Sequence, residues 1–166
     1  MPAMRHVASG RAALAAEAVG EGQPVAFHHS NAGDRREWHG PMGRLGAAHR
    51  AVAYDRRGFG ATRAEREDHP AVADLLAVLD AVTDGTPAVL VGCSMGGKIA
   101  LDAALRHPAR VRGLVLIAPS VERRGSARAG LPARDRGAGR GHAMGRSWIH
   151  ARAFSAQSGS YPAAAK

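Results

Sequence analysis

The chain has 166 residues, 45% of them hydrophobic and 4% aromatic, which is enough for one domain with an ordinary core. Its single cysteine, Cys93, excludes an internal disulfide and suggests a reducing compartment. No apolar run approaches the length of a transmembrane helix, and charges and glycines interrupt the N-terminal apolar residues where a signal peptide would be continuous. We therefore expect a soluble, cytoplasmic protein without a membrane partner.

The net charge of +9 is concentrated in one segment. Residues 122–166 contain nine Lys or Arg and two Asp or Glu, whereas residues 1–121 contain fourteen and twelve. The basic segment is rich in Arg, Gly and Ala and has no helical or strand period, which predicts disorder. We therefore divide the chain into a domain, residues 1–121, and a basic tail, residues 122–166. This distribution disfavours a nucleic-acid-binding face on the domain, and a tail that binds nucleic acid remains a third alternative.

The first half of the domain predicts four strands. Residues 4–8 and 12–19 resemble two short strands, although their alanine content leaves a helix over residues 11–19 as an alternative. Residues 24–29 form a third predicted strand, and the loop after it leads into a helix that ends near Gly46. Asp34 is the expected N-cap of that helix, and residues 51–55 form the next strand.

The second half predicts a helix, a strand, another helix and a final strand. In the helix over residues 70–82 the apolar positions share one face, and Asp74 and Asp80 lie off it. Residues 88–92 form a buried strand, a helix follows Lys98, and residues 113–118 form the last strand. Strands that alternate with helices predict an α/β fold, with a mostly parallel sheet, helices on both faces and the strand-end loops at one edge.

The turn between residues 88–92 and the following helix carries the chemistry. The spacing Gly92-x-Ser94-x-Gly96 is typical of a sharp strand-to-helix turn that presents a serine hydroxyl at the sheet edge. Small residues are needed on both sides because the strained backbone leaves no room for a Cβ. The N–H groups at the start of the helix can then face a developing oxyanion. The alternative is a glycine-rich turn in which Ser94 only caps the helix.

The same turn has a second, less favoured interpretation. Six residues from Gly92 to Gly97, followed by Lys98, have the spacing of a phosphate-binding loop. That loop requires Ser or Thr at the next position to hold Mg²⁺, and this chain has Ile99 there. The sequence therefore disfavours a nucleotide site, and it contains no cluster with metal-ligand spacing.

Four segments in order resemble the α/β-hydrolase family of the esterase and lactonase type, and together they span roughly residues 10–121. They are the strand-end loop over residues 29–38, the D-x-R-G-x-G loop that begins at Asp55, the G-x-S-M-G-G turn around Ser94, and the strand over residues 113–119. The resemblance implies that Ser94 is the nucleophile and that the Met95 N–H is one oxyanion donor. It implies a second donor from Ser30 or Asn31, although Ser30 replaces the glycine that usually follows the histidine.

The resemblance also implies a reaction and its requirements. The expected substrate is a small ester or lactone whose acyl group passes through Ser94 to water, with no cofactor and no metal. Family members supply the triad acid and histidine from later strands, and here the only later candidates are Glu122, Asp135, His142 and His150. None lies in a recognisable strand, so we expect impaired or absent activity.

The abrupt change in composition suggests a truncated or frame-shifted second half that begins near residue 121. A non-catalytic remnant of the fold, or an interaction module, is therefore the main alternative function. A sheet that lacks its last strands would expose an edge, so we also expect poor solubility or self-association.

Several other residues have structural interpretations. His28 and His29 are expected to have packing roles, Asp55 is expected to organise its own loop, and Cys93 is expected to pack as a small residue. Lys98 is expected to extend into solvent, with binding of an acidic substrate as the alternative. Trp38 and Phe59 are expected in the core or in a pocket wall.

Overall fold

The computed structural model describes residues 3–120, which build a mixed β-sheet flanked by helices. The predicted disorder of residues 122–166 lies outside this range. The strands are β1 (Ala3–Ser9), β2 (Ala12–Val19), β3 (Pro24–His28), β4 (Arg50–Tyr54), β5 (Arg63–Ala64), β6 (Ala88–Cys93) and β7 (Val111–Ile117). The helices are α1 (His39–Leu45), α2 (Ala71–Thr83) and α3 (Met95–Arg106), and short 3-10 turns at Arg35–Trp38 and Pro108–Arg110 precede α1 and β7.

The strand order is β1-β2-β4-β3-β6-β7, with the two-residue β5 also paired to β2. β3 is parallel to β4 and to β6, and β6 is parallel to β7, whereas β1 and β2 are antiparallel to their neighbours. The predicted α/β fold with a mostly parallel sheet is confirmed. The carboxyl ends of the four parallel strands consequently meet at one edge.

The alternative helix over residues 11–19 is wrong. Those residues form β2, which pairs with β1 on one side and with β4 on the other. Alanine favours a helix in an isolated segment, but two flanking strands that satisfy the backbone N–H and C=O groups override that propensity.

Helices α2 and α3 cover one face of the sheet. In α2 the fully buried Leu75, Val78 and Leu79 follow helical spacing and pack against Leu14 and Leu90 of the sheet. Burying each of these side chains contributes about 1.5–3 kcal/mol to folding. This packing fixes both helices against the strands that lead to the shared edge.

The 3-10 turn and α1 cover the opposite face. Trp38 and Met42 are buried against Phe27 of β3, and the rings of Trp38 and Phe27 lie 5.1 Å apart. Trp38 is therefore a core residue rather than a pocket wall. Asp34 caps the 3-10 turn, as predicted for the start of this helical segment, because its carboxylate accepts a hydrogen bond from the Arg36 N–H at 2.9 Å.

Asp74, which the sequence places off the apolar stripe of α2, is nevertheless buried. Asp74 is 4% exposed and forms an ion pair with the guanidinium of Arg57 at 2.8 Å. A buried carboxylate is retained where a cation and hydrogen bonds compensate its lost hydration, and Arg57 supplies both. Asp80, in contrast, is exposed as predicted.

No helix within residues 3–120 combines the length and the apolar character needed to cross a membrane. This is the only membrane-related property that the described part of the chain establishes.

We predict that the chain self-associates. β7 is the edge strand of the sheet formed by residues 3–120, and its side chains Leu114 and Leu116 are only half-buried. Unpaired backbone groups beside exposed apolar side chains are a template for pairing with another chain. Sedimentation velocity over a wide concentration range should show species above the monomer mass of 17.2 kDa. A single monomeric boundary at every concentration would contradict this prediction.

Candidate active site

Ser94 occupies the turn between β6 and α3, and its backbone is strained. Its φ of 51° and ψ of −115° lie in a region that residues with a side chain rarely adopt. Hydrogen bonds maintain this conformation, because the Ser94 N–H donates to Ile117 O at 3.0 Å and the Ser94 carbonyl accepts from the Ser120 N–H at 3.0 Å. The half-buried serine consequently sits at the edge where the parallel strands end.

Glycines allow α3 to approach the sheet closely behind this turn. A Cβ on Gly92 would lie 2.5 Å from the Gly96 carbonyl oxygen, and a Cβ on Gly96 would overlap the carbonyl oxygen of His28. Both distances are shorter than any real Cβ contact, and the obstacles are backbone atoms that cannot rotate away. Glycine at these positions is therefore required for packing.

The first turn of α3 provides free N–H groups beside the serine. Met95 is the first residue of α3, and the N–H groups of a helix's first turn have no partner inside the helix. The parallel pairing of β3 with β6 places His28 opposite Gly92, so the loop after β3 reaches the same edge. The start of α3, with Met95, and the loop after β3, with Ser30 and Asn31, therefore lie at the same edge of the sheet.

The two candidate donors in that loop differ. The Ser30 N–H donates to the Glu37 carboxylate at 3.2 Å, and the Ser30 hydroxyl donates to the other oxygen of that carboxylate at 3.2 Å. No acceptor within residues 3–120 contacts the Asn31 N–H. Asn31 and Met95 line the same groove, so the geometry favours Asn31 over Ser30 as a donor to a ligand.

The Ser94 hydroxyl has one side-chain partner within residues 3–120, the Ser120 hydroxyl at 3.1 Å. Ser120 follows β7, the parallel neighbour of β6, so its position is set by the sheet. No imidazole or carboxylate in the described part of the chain contacts the Ser94 hydroxyl. The four sequence candidates for the acid and the base, Glu122, Asp135, His142 and His150, lie outside the described residues.

Asp55 organises the loop after β4, as predicted. Its fully buried carboxylate accepts hydrogen bonds from the Arg35 N–H at 2.8 Å and the Ala61 N–H at 2.7 Å. It also pairs with the Arg35 guanidinium, which reaches Glu17 of β2 at 2.7 Å. These bonds join the loop after β3 to the loop after β4, at the sheet edge where Ser94 also lies.

His29 joins the same two loops. The Arg56 N–H donates to its Nε2 at 3.0 Å, and its Nδ1 donates to Ser30 O at 2.7 Å. One ring nitrogen accepts and the other donates, so the ring is neutral. Burial lowers the pKa of His29, although its hydrogen bond to Ser30 O opposes that shift. The predicted structural role of His29 is consistent with these contacts.

His28 is fully buried, and neither ring nitrogen has a hydrogen-bond partner within residues 3–120. Its ring meets the Tyr54 ring edge-on at 5.6 Å. Burial, followed by the neighbouring His29 and Arg56, lowers the pKa of His28 to about 3. The side chain therefore acts as a neutral packing element, as predicted.

Cys93 precedes Ser94 but differs from it in reactivity. The thiol is half-buried and free, and burial followed by the nearby Glu37 raises its pKa. A raised pKa lowers the thiolate fraction, and the thiolate is the nucleophilic form. Cys93 is consequently a poor competitor for the role of nucleophile. Within residues 3–120 no group of three or more His, Cys, Asp or Glu could hold a metal ion.

A sequence model of the α/β hydrolase fold family matches residues 23–153 of this chain. The chain belongs to the α/β-hydrolase fold family. The match includes the strained serine turn, the loop after β3 and the Asp55 loop, and it continues into the basic segment predicted as a separate tail.

Three relatives illustrate the range of the family. A Variovorax paradoxus protein provisionally named carbamate hydrolase RutD is 36% identical over 101 residues, which cover 58% of this chain and 38% of that protein. A pimeloyl-[acyl-carrier protein] methyl ester esterase of Shewanella woodyi is 35% identical over 106 residues, or 63% and 39%. The solved structure of Est816, an N-acyl homoserine lactone degrading enzyme, is 29% identical with a TM-score of 0.65, covering 69% of this chain and 45% of Est816.

The chain spans about two fifths of the length of the curated hydrolases that it matches, 38% and 39% in the two cases above. The described residues correspond to the part that carries the serine turn. The geometry of that part is therefore the basis for the functional proposal.

We predict that Gly96→Ala destabilises the fold, whereas Gly43→Ala does not. The added methyl group at Gly96 would meet the His28 backbone, but at Gly43 in α1 it would meet nothing within 4 Å. Urea denaturation should show a loss of about 1–3 kcal/mol for Gly96→Ala, as for other overpacked sites. For Gly43→Ala we expect a gain of up to about 1 kcal/mol from helix propensity. Equal changes in stability for the two variants would contradict the prediction, because they would show that the packing of α3 against His28 leaves room for a methyl group at residue 96.

We predict that acid destabilises the protein in a window set by His28. The unfolded chain binds a proton on this residue near pH 6.5, but the folded protein does so only near pH 3. The free energy of unfolding should therefore fall as the pH decreases from 6.5, by up to about 1.4 kcal/mol per pH unit for one group.

Denaturation curves between pH 7 and pH 5 should be flatter for His28→Phe than for the unchanged protein. A residual slope is expected from His29, whose pKa is also lowered. His6→Gln is the matched control, because it removes an imidazole from an exposed position. The prediction fails if His28→Phe retains the full pH dependence.

Proposed function

We propose that this chain carries the nucleophile and oxyanion-binding half of a serine hydrolase that acts on ester or lactone bonds. The observation that supports it best is the strained backbone of Ser94, with φ at 51°, at the edge where the parallel strands end. A strained serine conformation held by hydrogen bonds is typical of a pre-organised nucleophile. The names of the relatives, a methyl ester esterase and a lactone-degrading enzyme, support acyl bonds as the target.

The proposed reaction begins with attack of Ser94 Oγ on the carbonyl carbon of the substrate. A C–O bond forms, the π electrons move to the carbonyl oxygen, and the hydroxyl proton passes to a base. Collapse of the tetrahedral intermediate expels the alkoxide, which takes up a proton. Water then hydrolyses the acyl-serine and releases the carboxylic acid.

The developing oxyanion would be bound by the N–H groups of Met95 and Asn31. Ser30 is the weaker candidate, because its N–H already donates to Glu37 at 3.2 Å. Removal of one such donor costs about 10²–10³ in rate in other acyl-transfer enzymes, so two converging N–H groups carry much of the catalysis. No cofactor or metal is needed for this step.

The reaction also needs an acceptor for the Ser94 hydroxyl proton. Ser120 at 3.1 Å can relay a proton or orient the Ser94 hydroxyl, but a neutral hydroxyl cannot serve as the base. His142 or His150, with Glu122 or Asp135, are the sequence candidates from the segment outside the described residues. Without a base, residual catalysis from the oxyanion hole and binding would be orders of magnitude below that of a complete triad.

The absence of a base near Ser94 within residues 3–120 favours one alternative, a non-catalytic form of the fold that retains a reactive serine. For location we propose the cytoplasm, because Cys93 is a single free thiol. The proposed partner is a small ester or lactone, and the charge distribution continues to disfavour nucleic acid.

We predict that Ser94 is labelled covalently by an alkyl fluorophosphonate. The purified chain should gain one adduct, located at Ser94 by peptide mass spectrometry, and should hydrolyse a short-chain nitrophenyl ester above background. Ser94→Ala should abolish labelling and lower hydrolysis by about a hundredfold or more, to the solvent rate.

Cys93→Ala is the matched control, because it removes the adjacent thiol and should retain both signals. Labelling without ester turnover would support the nucleophile and assign the chain to the alternative without a working base. No labelling of the folded chain, or labelling that persists in Ser94→Ala, would overturn the proposal.

A further inference from the structure

A groove runs beside the serine turn, between the N-terminal end of α2 and the exposed face of α3. Its volume is about 410 Å³, and Asn31 and Met95 line it at the end nearest Ser94. Three cations and one carboxylate also line it, namely Arg56, Lys98, Arg106 and Asp102. The groove therefore combines the two proposed oxyanion donors with an excess of positive charge.

Arg56 is the unusual member of this set, because it is half-buried and has no carboxylate partner within residues 3–120. Its Nη2 donates to Ser30 O at 2.9 Å and to the Asn31 side-chain oxygen at 2.8 Å, and both acceptors are neutral. Its Nε is buried without a hydrogen-bond partner in this part of the chain. The guanidinium carbon lies 4.6 Å from the centre of the Phe59 ring. Burial lowers the pKa of Arg56, and the nearby Tyr54 and Glu37 only partly oppose that shift.

The neighbouring buried arginines are paired. Arg35 binds Glu17 and Asp55, and Arg57 binds Glu67 and Asp74. Glu37, the other carboxylate near this edge, accepts hydrogen bonds from the Ser30 N–H and hydroxyl and forms no ion pair within residues 3–120. Arg56 therefore has no direct carboxylate partner in this part of the chain. An anion from solution could compensate it, and such an anion would gain charge-assisted hydrogen bonds in a partly desolvated groove.

Lys98 contributes a second cation close to the reaction centre. It lies three residues after Met95, or about 4.5 Å along the helix axis, whereas Arg106 is about 16 Å from Met95. Lys98 forms an ion pair with Asp102 at 2.8 Å, with side chains 42% and 32% exposed. Such an exposed pair contributes less than about 1 kcal/mol, so it does not prevent Lys98 from binding another anion.

We propose that Arg56, with Lys98, binds a carboxylate on the substrate, and that the preferred substrates are esters whose acyl chain ends in an acidic group. This inference rests on the proposed function, because it assigns the groove to the substrate of Ser94. Arg56 provides the buried, oriented contact, and Lys98 provides the nearby point charge. The proposal adopts the alternative role considered for Lys98 from the sequence, binding of an acidic substrate.

The test compares two esters that differ by one charge, monomethyl glutarate and dimethyl glutarate, by ligand-observed NMR with the whole chain. The monoester should bind at least about tenfold more tightly, as expected for one charge-assisted interaction of about 1.5 kcal/mol. Arg56→Gln should remove that preference, and Arg56→Lys should retain part of it. Circular dichroism confirms that each variant is folded.

Arg112→Gln is the matched control, because it removes the same charge from an exposed position at the opposite end of β7. It should leave the preference for the monoester unchanged. Equal binding of the two esters, or an equal loss in Arg56→Gln and Arg112→Gln, would overturn the anion site.

The ester-binding and phosphonate experiments distinguish failure of the anion site from failure of the proposed hydrolase. Monoester binding that depends on Arg56, in a chain whose Ser94 takes no phosphonate, would support the anion site and overturn the hydrolase. Labelled Ser94 with no preference for the monoester would overturn only the anion site.

Discussion

The close approach of α3 to the carboxyl ends of β3 and β6 is the constraint on which the site depends. Gly92 and Gly96 permit it, because a methyl group on either would collide with backbone atoms. This approach fixes where the chain must turn, and the turn forces Ser94 into a positive φ. Such a conformation costs about 1–3 kcal/mol, which the surrounding sheet and hydrogen bonds must offset. The orientation of the serine is therefore a consequence of packing, and it exists before any ligand binds.

A second constraint acts on the loops that face the serine. Buried carboxylates at Asp55 and Asp74 each accept a guanidinium, and the imidazole of His29 joins the two loops after β3 and β4. Buried ion pairs of this kind contribute little net stability, but removing one partner is costly, so they specify one arrangement of the loops. They also explain why Arg56 differs from Arg57 although the two are adjacent in sequence. Arg56 donates to neutral oxygen acceptors and lines the groove, whereas Arg57 donates to the carboxylates of Glu67 and Asp74.

The sequence predicted the strands, the helices and the position of the serine turn because these depend on local patterns of apolar residues and glycines. The partners in side-chain hydrogen bonds and ion pairs could not be predicted in the same way. The burial of Asp74 could not be predicted, because helical spacing shows the apolar face of α2 but not the cation Arg57, which lies in a loop seventeen residues earlier. Glu37 was missed, although its position three residues after the cap Asp34 is the spacing of a capping box, in which a carboxylate reaches back to a free N–H. Here it reaches Ser30 instead. Ser120 was missed because its approach to Ser94 depends on the register between β6 and β7.

The two halves of the proposed acyl-transfer site have different structural requirements. The proposed nucleophile, Ser94, and the proposed oxyanion donors are held by contacts within residues 3–120, chiefly β6, α3, the loop after β3 and the two hydrogen bonds to the end of β7. Within residues 3–120 the only side-chain hydrogen-bond partner of the Ser94 hydroxyl is the Ser120 hydroxyl, so this range supplies no base in contact with it. A positively charged groove would also act on a histidine that served as the base, because nearby cations lower the pKa of an imidazole and favour its neutral form, which accepts a proton. The charge that would attract an acidic substrate would thus also favour the reactive state of a histidine that reaches this edge.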